Sequence, residues 1–233
     1  MRTKSTIMGI VLGIALAGIG VAVALVVLLG PVWGLGLAAA GGLAVLALYK
    51  LVIEPWHSRW GATDEEVRRT MPGDDVIQGA ASTTRAITIR ARPGDIWPWL
   101  VQIGFGRAGW YSYDWIDNDG NTSADRIFPE LQDLRVGDRI EMMPGMGPEV
   151  RALMPNEWLL AGDEEGGTWC LGLYPDGEGR TRLVTRWRQR WTMTPATALW
   201  ILIAAPGAFI MERKMLKGIR ARIERAAATA TIS

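Results

Sequence analysis

WPWLVQIGFGRAGWYSYDW, which runs from Trp97 to Trp115, is the most aromatic stretch of the chain, and we interpret the remaining sequence outward from it. It holds four of the twelve tryptophans and two of the four tyrosines. Large aromatic side chains with one polar tip suit either a hydrophobic core or the wall of an apolar pocket. Only two side chains here are charged, Arg107 and Asp114. The stretch therefore favours a core or pocket wall over an acid-base site.

The composition excludes several classes of function. With 233 residues and a formal net charge of +1, the chain is long enough for a domain plus an appendage and lacks the basic balance of a nucleic-acid-binding protein. Cys170 is the single cysteine, which excludes a disulfide framework. His57 is the single histidine, which excludes zinc sites built on histidine pairs and Ser-His-Asp triads. The sequence therefore predicts neither a metal site nor a cofactor.

Two apolar runs open the chain. Thr6 to Leu29 carries no charge over 24 positions, which as a helix spans roughly 36 Å, enough to cross a bilayer core of about 30 Å. Gly30 and Pro31 interrupt it, and a second apolar run over residues 32–53 contains only Lys50 as a charge. We predict a transmembrane hairpin of two helices, at about 6–29 and 32–53, within residues 1–56. The first run is too long for the apolar part of a cleaved signal peptide.

Basic residues predict how this hairpin is oriented. They flank both ends of the hairpin, whereas its turn has none: Arg2 and Lys4 precede it, and Lys50, Arg59, Arg68 and Arg69 follow. By the positive-inside rule, the N-terminus and the soluble domain face the cytoplasm, and the chain is a multi-pass protein of the inner membrane. Small residues such as Gly13 and Gly34 allow close helix packing, within one hairpin or between two copies of the chain.

A structured linker over residues 57–82 joins the hairpin to the soluble domain. Thr63 and Glu66 form a capping-box pattern that predicts a short helix, and Met71-Pro72-Gly73 ends it. Residues 84–92 then alternate as a half-buried strand. Residues 95–103 follow as a helix that presents Ile96, Leu100 and Ile103 on one face, and a second short helix begins near Ser112.

From Val136 the pattern changes to short strands between turns. We predict strands at about 138–143, 149–154, 158–163, 168–174 and 181–192, as in an antiparallel meander. The last strand places Leu183, Thr185 and Trp187 on one face. Its other face is a row of arginines: Arg182, Arg186, Arg188 and Arg190. Such a row is either solvated or neutralises an anionic ligand or a lipid surface.

The C-terminal segment is apolar over residues 196–211 and basic over 212–225. A third transmembrane helix would be short, would be interrupted by Pro206-Gly207 and would leave its basic end outside the cytoplasm. Phe209, Leu216 and Ile223 continue a helical stripe into the basic part. We therefore expect a long amphipathic helix laid against the sheet.

The predicted elements follow the order of the helix-grip fold: a strand, two short helices, an antiparallel meander and a long last helix. The sequence resembles the SRPBCC superfamily, also called START-like or polyketide cyclase-like, in a bacterial, membrane-anchored branch. Five stretches carry the resemblance: WGATDEEVRRTMPGDD (60–75), TRAITIRARPGDIWPWLVQIGFGRAGWYSYDW (84–115), SADRIFPELQDLRVGD (123–138), TRLVTRWR (181–188) and MERKMLKGIRAR (211–222). The resemblance implies an α+β domain over residues 83–228, in which a curved antiparallel sheet wraps the last helix around an apolar cavity. It implies a cavity rather than a particular reaction.

Two further patterns resemble sites of chemistry. Gly104 to Gly109 matches GxGxxG but follows a predicted helix instead of a strand, so it predicts a sharp chain reversal rather than a dinucleotide site. A carboxylate-rich group lies just beyond it: Asp114, Asp125, Arg126 and Glu130. We interpret this group as a salt-bridged loop staple, with an acid-base pair as the alternative.

These observations favour a membrane-anchored domain, facing the cytoplasm, that binds a hydrophobic small molecule or lipid without turnover. Eight residues are predicted to line or gate its cavity: Trp97, Trp110, Tyr111, Tyr113, Trp115, Met142, Trp169 and Trp187. One alternative is a cyclase- or aromatase-like enzyme, which would need Asp114 or Tyr113 inside the cavity. Another is a structural or regulatory membrane module whose cavity is filled by its own side chains.

Overall fold

The computed structural model describes residues 2–192 and 194–232, and the chain divides into a compact unit of Arg2–His57 and a second unit that begins at Ser58. The helices are α1 (Arg2–Leu29), α2 (Pro31–Leu48), α3 (Glu54–Ser58), α4 (Asp64–Arg68), α5 (Pro93–Val101), α6 (Asp114–Asp117) and α7 (Pro195–Ile232). The strands are β1 (Ala81–Ile89), β2 (Val150–Met154), β3 (Trp158–Asp163), β4 (Gly167–Pro175) and β5 (Thr181–Gln189). A π-helical turn (Tyr49–Ile53) joins α2 to α3, and a 3-10 turn (Pro129–Leu131) precedes β2.

The N-terminal unit contains the two predicted apolar helices. The segments Leu12–Leu29 and Pro31–Ser58 are both long and apolar enough to cross a membrane. Gly30 adopts a positive φ of 80°, and Pro31 starts α2, as a tight reversal requires. Gly34 is buried against α1, where an added Cβ would collide with the backbone of Val26. The second helical segment continues past its predicted end at residue 53, because the π-helical turn leads directly into α3.

The second unit is built on one antiparallel sheet with the strand order β1-β5-β4-β3-β2. The predicted α+β class is confirmed at this level, with a five-stranded antiparallel sheet and a long C-terminal helix. The register pairs Arg85 with Thr185 and Trp169 with Trp187. Directly paired residues share a face of the sheet, so these four side chains lie on one face, which we call the inner face.

The inner face forms the main core together with α5 and α7. Ile89, Leu171 and Leu183 are fully buried there with Leu216 and Ile219 of α7. These two helix residues are three apart and so lie on one side of α7. The predicted amphipathic stripe is therefore confirmed for Phe209, Leu216, Ile219 and Ile223, all of which are buried. The side chains at 195–196, 198–200 and 202–203, within the apolar half of α7, lie outside those that the structure describes.

The outer face of the sheet is covered at Arg182, Arg186 and Arg188, which corrects the prediction that the arginine row is solvated or meets an anion; Arg190, at the end of the row, is exposed. The connector, residues 61–80, lies across this face, with contacts from Arg182 to Gly61 at one end and from Arg190 to Gln78 at the other. Arg186 is 4% exposed and donates hydrogen bonds to the carbonyl oxygens of Arg69, Glu66 and Val67 at 2.7–3.0 Å. It also contacts the Asp74 carboxylate at 2.6 Å. The connector is therefore an integral layer of the fold, and its predicted capping box at Thr63 and Glu66 is present.

The remaining differences from the predicted elements have local causes. No strand forms at 138–143; Arg139 and Glu149 make one isolated bridge there, and Met143 and Met146 make another. Ile140 donates to the Pro148 carbonyl at 2.9 Å, but proline has no N–H to continue the ladder. Helix α5 begins at Pro93, two residues before its predicted start, and ends at Val101. Proline at the first helical turn is favourable, because its missing N–H would have had no partner there.

Candidate functional site

Three tryptophans meet on the inner face, and we call them the tryptophan cluster: Trp110, Trp169 and Trp187. The rings of Trp169 and Trp187 stack with their centroids 5.1 Å apart and an angle of 11° between their planes. Trp110 follows at 5.9 Å from Trp169, tilted by 39°. Trp169 is 2% exposed and Trp110 7%, whereas Trp187 is only partly buried. The cluster therefore reaches the surface through Trp187.

A buried polar network joins the cluster to α7. The Trp169 indole N–H donates to the Thr185 hydroxyl at 2.9 Å, and that hydroxyl donates to Glu212 Oε1 at 2.8 Å. The other carboxylate oxygen of Glu212 pairs with the guanidinium of Arg85. The Arg85 and Glu212 side chains are only 4% and 9% exposed. Since each oxygen of Glu212 already has a partner, this network locks α7 onto the sheet rather than presenting a free base.

The indole N–H of Trp110 is different, because no described residue accepts a hydrogen bond from it. Its ring packs in the core, so the donor is shielded from water as well. A buried donor without an acceptor costs free energy comparable to a lost hydrogen bond. The tryptophan cluster thus holds one polar group that an oxygen acceptor on a bound molecule would satisfy.

Tyr111 is fully buried, but its polar groups are occupied by the protein. Its hydroxyl accepts from Gln102 Nε2 at 2.8 Å and donates to the Trp99 carbonyl at 3.3 Å. Burial raises the pKa of Tyr111 to about 12, although the hydrogen bond from Gln102 opposes the shift. Its backbone has φ 55°, a left-handed conformation that its N–H bond to the Ser123 hydroxyl at 2.9 Å helps to hold. The residue positions the aromatic stretch instead of offering a free polar group.

The other predicted site residues do not join the cluster. Trp97 is partly buried and packs on the edge of the core, and Tyr113 lies under the ammonium of Lys214 at 5.8 Å from its ring centroid. Trp115 is 58% exposed and Met142 41%, so the structure places both on the surface. Met142 sits in a tight turn closed by its N–H bond to the Met146 carbonyl at 2.8 Å. That the eight residues line a ligand site stays a prediction.

Two residues of interest were missed at the sequence level. Trp99 is 4% exposed and packs edge-on against Tyr111 at 5.8 Å. Its position three residues after Ile96 on the same helix was the signal that could have identified it.

Asp117 is 3% exposed, and neither carboxyl oxygen makes a hydrogen bond of ordinary geometry with a described residue. Burial raises the pKa of Asp117 to about 6, the nearby Ser112 hydroxyl opposes the shift, and the charge of Asp114 adds to it.

The glycine motif and the carboxylate-rich group are both structural features. Gly104 and Gly109 exchange both backbone hydrogen bonds at 3.1 Å, so the glycine motif closes a tight loop, as the chain-reversal interpretation requires. Asp114 accepts hydrogen bonds from the hydroxyl and the backbone N–H of Ser123, at 2.5 and 3.0 Å. Asp114 thus staples the loop through Ser123 instead of the predicted salt bridge, while Asp125, Arg126 and Glu130 are exposed.

Cys170 lies on the outer face and is not a nucleophile. It is 2% exposed and packs with Met71, Leu160 and Val184 beneath the connector. Burial raises the pKa of its thiol to about 12, so the reactive thiolate is absent near neutral pH.

Comparison with known proteins gives only structural likenesses. No family model matches the sequence, and no curated protein is significantly similar to it. Protein MLL2253 of Mesorhizobium loti is 17% identical and has a TM-score of 0.38, over 62% of this chain and 98% of its own. The polyketide cyclase-like protein Cgl2372 of Corynebacterium glutamicum is 16% identical with a TM-score of 0.32, over 63% and 93% of the two chains. The self-sacrificing resistance protein CalC of Micromonospora echinospora is 14% identical with a TM-score of 0.41, over 62% and 95%.

Proposed function

We propose that the chain is a membrane-anchored domain that binds a hydrophobic small molecule or a lipid at the tryptophan cluster, between the inner face of the sheet and α7. The observation that carries the proposal is the contact of three indole rings, one of which, Trp187, reaches the surface. Flat aromatic surfaces of this kind bind apolar rings and chains through buried area and dispersion.

The residues around the tryptophan cluster indicate which kind of ligand it would bind and where that ligand would enter. Ile89, Leu171 and Leu216 are fully buried, so the far end of the inner face is closed by its own side chains. A ligand therefore enters at Trp187 and displaces packing there. The unpartnered N–H of Trp110 suits a mainly apolar molecule that carries one oxygen acceptor.

The domain is proposed to be a helix-grip member of the SRPBCC superfamily, in a membrane-anchored bacterial branch. Two features of the fold support this assignment. Strands β2 to β5 are each paired with the next in sequence, and β1 adds to β5 at the far edge. The last helix packs on the inner face through Met215, Leu216 and Ile219.

The proposed anchor is the N-terminal hairpin in the inner membrane, with the N-terminus and the domain in the cytoplasm. The distribution of basic residues at both ends of the hairpin, and not at its turn, supports this orientation. Alkaline carbonate should leave the full-length chain in the membrane pellet. A green fluorescent protein fused to the C-terminus should fluoresce, whereas alkaline phosphatase at the same position should be inactive. The opposite pair of results would reverse the orientation.

The ligand proposal is tested by native mass spectrometry of the full-length protein purified in detergent, with extraction of any retained molecule. We expect a stoichiometric apolar compound or lipid. In Trp187→Ala the affinity for that compound should fall about tenfold, which corresponds to about 1.4 kcal/mol of binding free energy. Trp115→Ala is the matched control, because Trp115 is exposed and outside the cluster. Equal losses in both variants would contradict this location of the site.

A second candidate function is a structural or regulatory membrane module with a filled interior. The complete burial of Ile89, Leu171 and Leu216 favours it. An empty protein that also fails to bind hydrophobic fluorescent probes would support this module over a ligand carrier.

A further inference from the structure

One side of α7 is strongly basic, and we call it the basic face: Arg213, Lys214, Lys217 and Arg220. Arg213, Lys217 and Arg220 are four and three residues apart, so they share one side of the helix, with Lys214 beside them. Lys214 is exposed, and the other three are partly exposed. Within residues 2–192 and 194–232, no ion pair engages these four cations.

The acidic residues of this part of α7 do not neutralise the basic face. Glu212 is buried and bound to Arg85 and Thr185. Glu224 accepts a hydrogen bond from the backbone N–H of Arg90 at 3.2 Å. The Nε of Arg213 is itself buried without an acceptor among the described residues. The basic face therefore presents uncompensated positive charge.

Trp60 lies across the basic face. Its ring centroid is 5.2 Å from the guanidinium carbon of Arg213 and 5.8 Å from the ammonium of Lys217. Phe209 packs edge-on against the same ring at 6.4 Å. Tryptophan beside lysine and arginine is the combination that concentrates at the headgroup level of membranes.

The position of Trp60 in the sequence links this surface to the bilayer. The second segment able to cross a membrane ends at Ser58. Two residues of chain span at most about 7 Å, so Trp60 stays within that distance of the end of the span. Next to Phe209 on the same helix, Ile210 is 51% exposed, as suits a side chain at the apolar boundary of the headgroup layer.

We propose that the basic face and Trp60 dock onto anionic phospholipid headgroups of the bilayer that holds the hairpin. The inference rests on the membrane anchoring in the proposed function, but not on the tryptophan cluster or its ligand. Charge complementarity selects the occupant, because four unpaired cations beside an interfacial tryptophan match lipid phosphates at the cytoplasmic surface. Docking would hold α7 against the membrane and set the orientation of the whole domain.

Acetylation of Lys214 and Lys217, measured by peptide mass spectrometry, tests the proposal with the full-length chain in nanodiscs. One set contains phosphatidylcholine alone, and the other contains about one third phosphatidylglycerol. Arg151→Lys, at an exposed position of β2, supplies a reference amine on the same molecule. Relative to that reference, we expect Lys214 and Lys217 to be acetylated about fivefold more slowly on the anionic membrane than on the neutral one. This factor corresponds to about 1 kcal/mol of binding free energy per basic residue. About 1 M salt should abolish the protection, since it shortens the Debye length to about 3 Å.

Two variants refine the test. Arg213→Gln should weaken the protection of Lys217, whereas Arg180→Gln, on the exposed turn between β4 and β5, should leave it unchanged. The lipid comparison of the unaltered basic face does not depend on either variant. Equal acetylation on both membranes would overturn the proposal. So would equal protection by inorganic phosphate on neutral nanodiscs, which would point to free phosphate. Release of the chain by alkaline carbonate would instead contradict the anchoring itself.

Discussion

The two faces of the sheet are both covered, but by different means. The outer face carries arginines that hold the connector through its carbonyl oxygens, as Arg186 does with three of them. The inner face is apolar and aromatic and contains one buried ion pair, between Arg85 and Glu212. The outer face is fixed by directional bonds to backbone atoms that a ligand cannot replace. The inner face depends on packing, which a hydrophobic ligand can replace, and this difference places the proposed function on the inner side.

The largest expected effect tests the outer face. Arg186→Met would remove the close cation from the Asp74 carboxylate and the side-chain donor from three connector carbonyls. We expect it to lower the free energy of unfolding by about 5 kcal/mol. A loss of that size shifts the melting temperature of a domain of this length by about 10 °C or more, which near-ultraviolet circular dichroism in detergent would detect.

Arg190→Met is the matched control on the same row. Arg190 is exposed and donates one hydrogen bond to the Gln78 carbonyl, so its replacement should cost about 0.5 kcal/mol or less. If both variants were equally mild, the connector would not be held by Arg186, and the contrast between the two faces would disappear.

The next effect tests the ion pair of the inner face. Glu212→Gln keeps an acceptor for the Thr185 hydroxyl but removes the charge that Arg85 faces, and we expect a loss of about 4 kcal/mol. Glu224→Gln, on the same helix, should cost about 1 kcal/mol or less, since it affects one hydrogen bond near the surface. Urea unfolding of both variants in detergent gives the comparison. A mild Glu212→Gln would mean that solvent or ligand already reaches this network.

Local patterns predicted the inner face well. The helical stripe of α7 and the alternation of β5, with Leu183, Thr185 and Trp187 inward, depend only on neighbouring residues, and the structure confirms both. The capping box at Thr63 and Glu66 also depends only on residues close in sequence, and it is present in the structure.

The outer face and part of the site could not be predicted in this way. Arg186 binds the Glu66 carbonyl across 120 positions of sequence, and no side-chain pattern marks a carbonyl as an acceptor. Trp115 and Asp117 are two residues apart in a four-residue helix, too short for periodicity to show that one is exposed and the other buried. Such placements depend on tertiary packing.

The third expected effect is a pH dependence on the α7 side of the sheet. Burial raises the pKa of Asp117 from 3.8 to about 6. Between these two pH values the unfolded chain releases the proton that the folded chain keeps. The free energy of unfolding therefore falls as the pH rises, by up to about 3 kcal/mol in total. It levels off above pH 6, where both states have lost the proton. Asp117→Asn should remove this fall, making the variant the more stable protein at pH 7 and about equal to the parent near pH 4. Asp125→Asn, at an exposed position, should leave the profile unchanged. A profile without this slope in the parent protein would show that the Asp117 carboxyl is solvated.

The smallest effect concerns how closely α7 approaches the aromatic stretch. A Cβ at Gly218 would collide with the carbonyl of Tyr111, whereas a Cβ at Gly207, on the same helix, meets nothing within 4 Å. Gly218→Ala should therefore cost about 2 kcal/mol through overpacking. Gly207→Ala should add about 0.5–1 kcal/mol, because alanine restricts the unfolded chain and favours the helix. Opposite signs in thermal unfolding would establish that α7 is pressed against Tyr111, which fixes the segment that carries Trp110. A stabilising Gly218→Ala would show that this contact yields, and that the inner face opens along α7 as well as at Trp187.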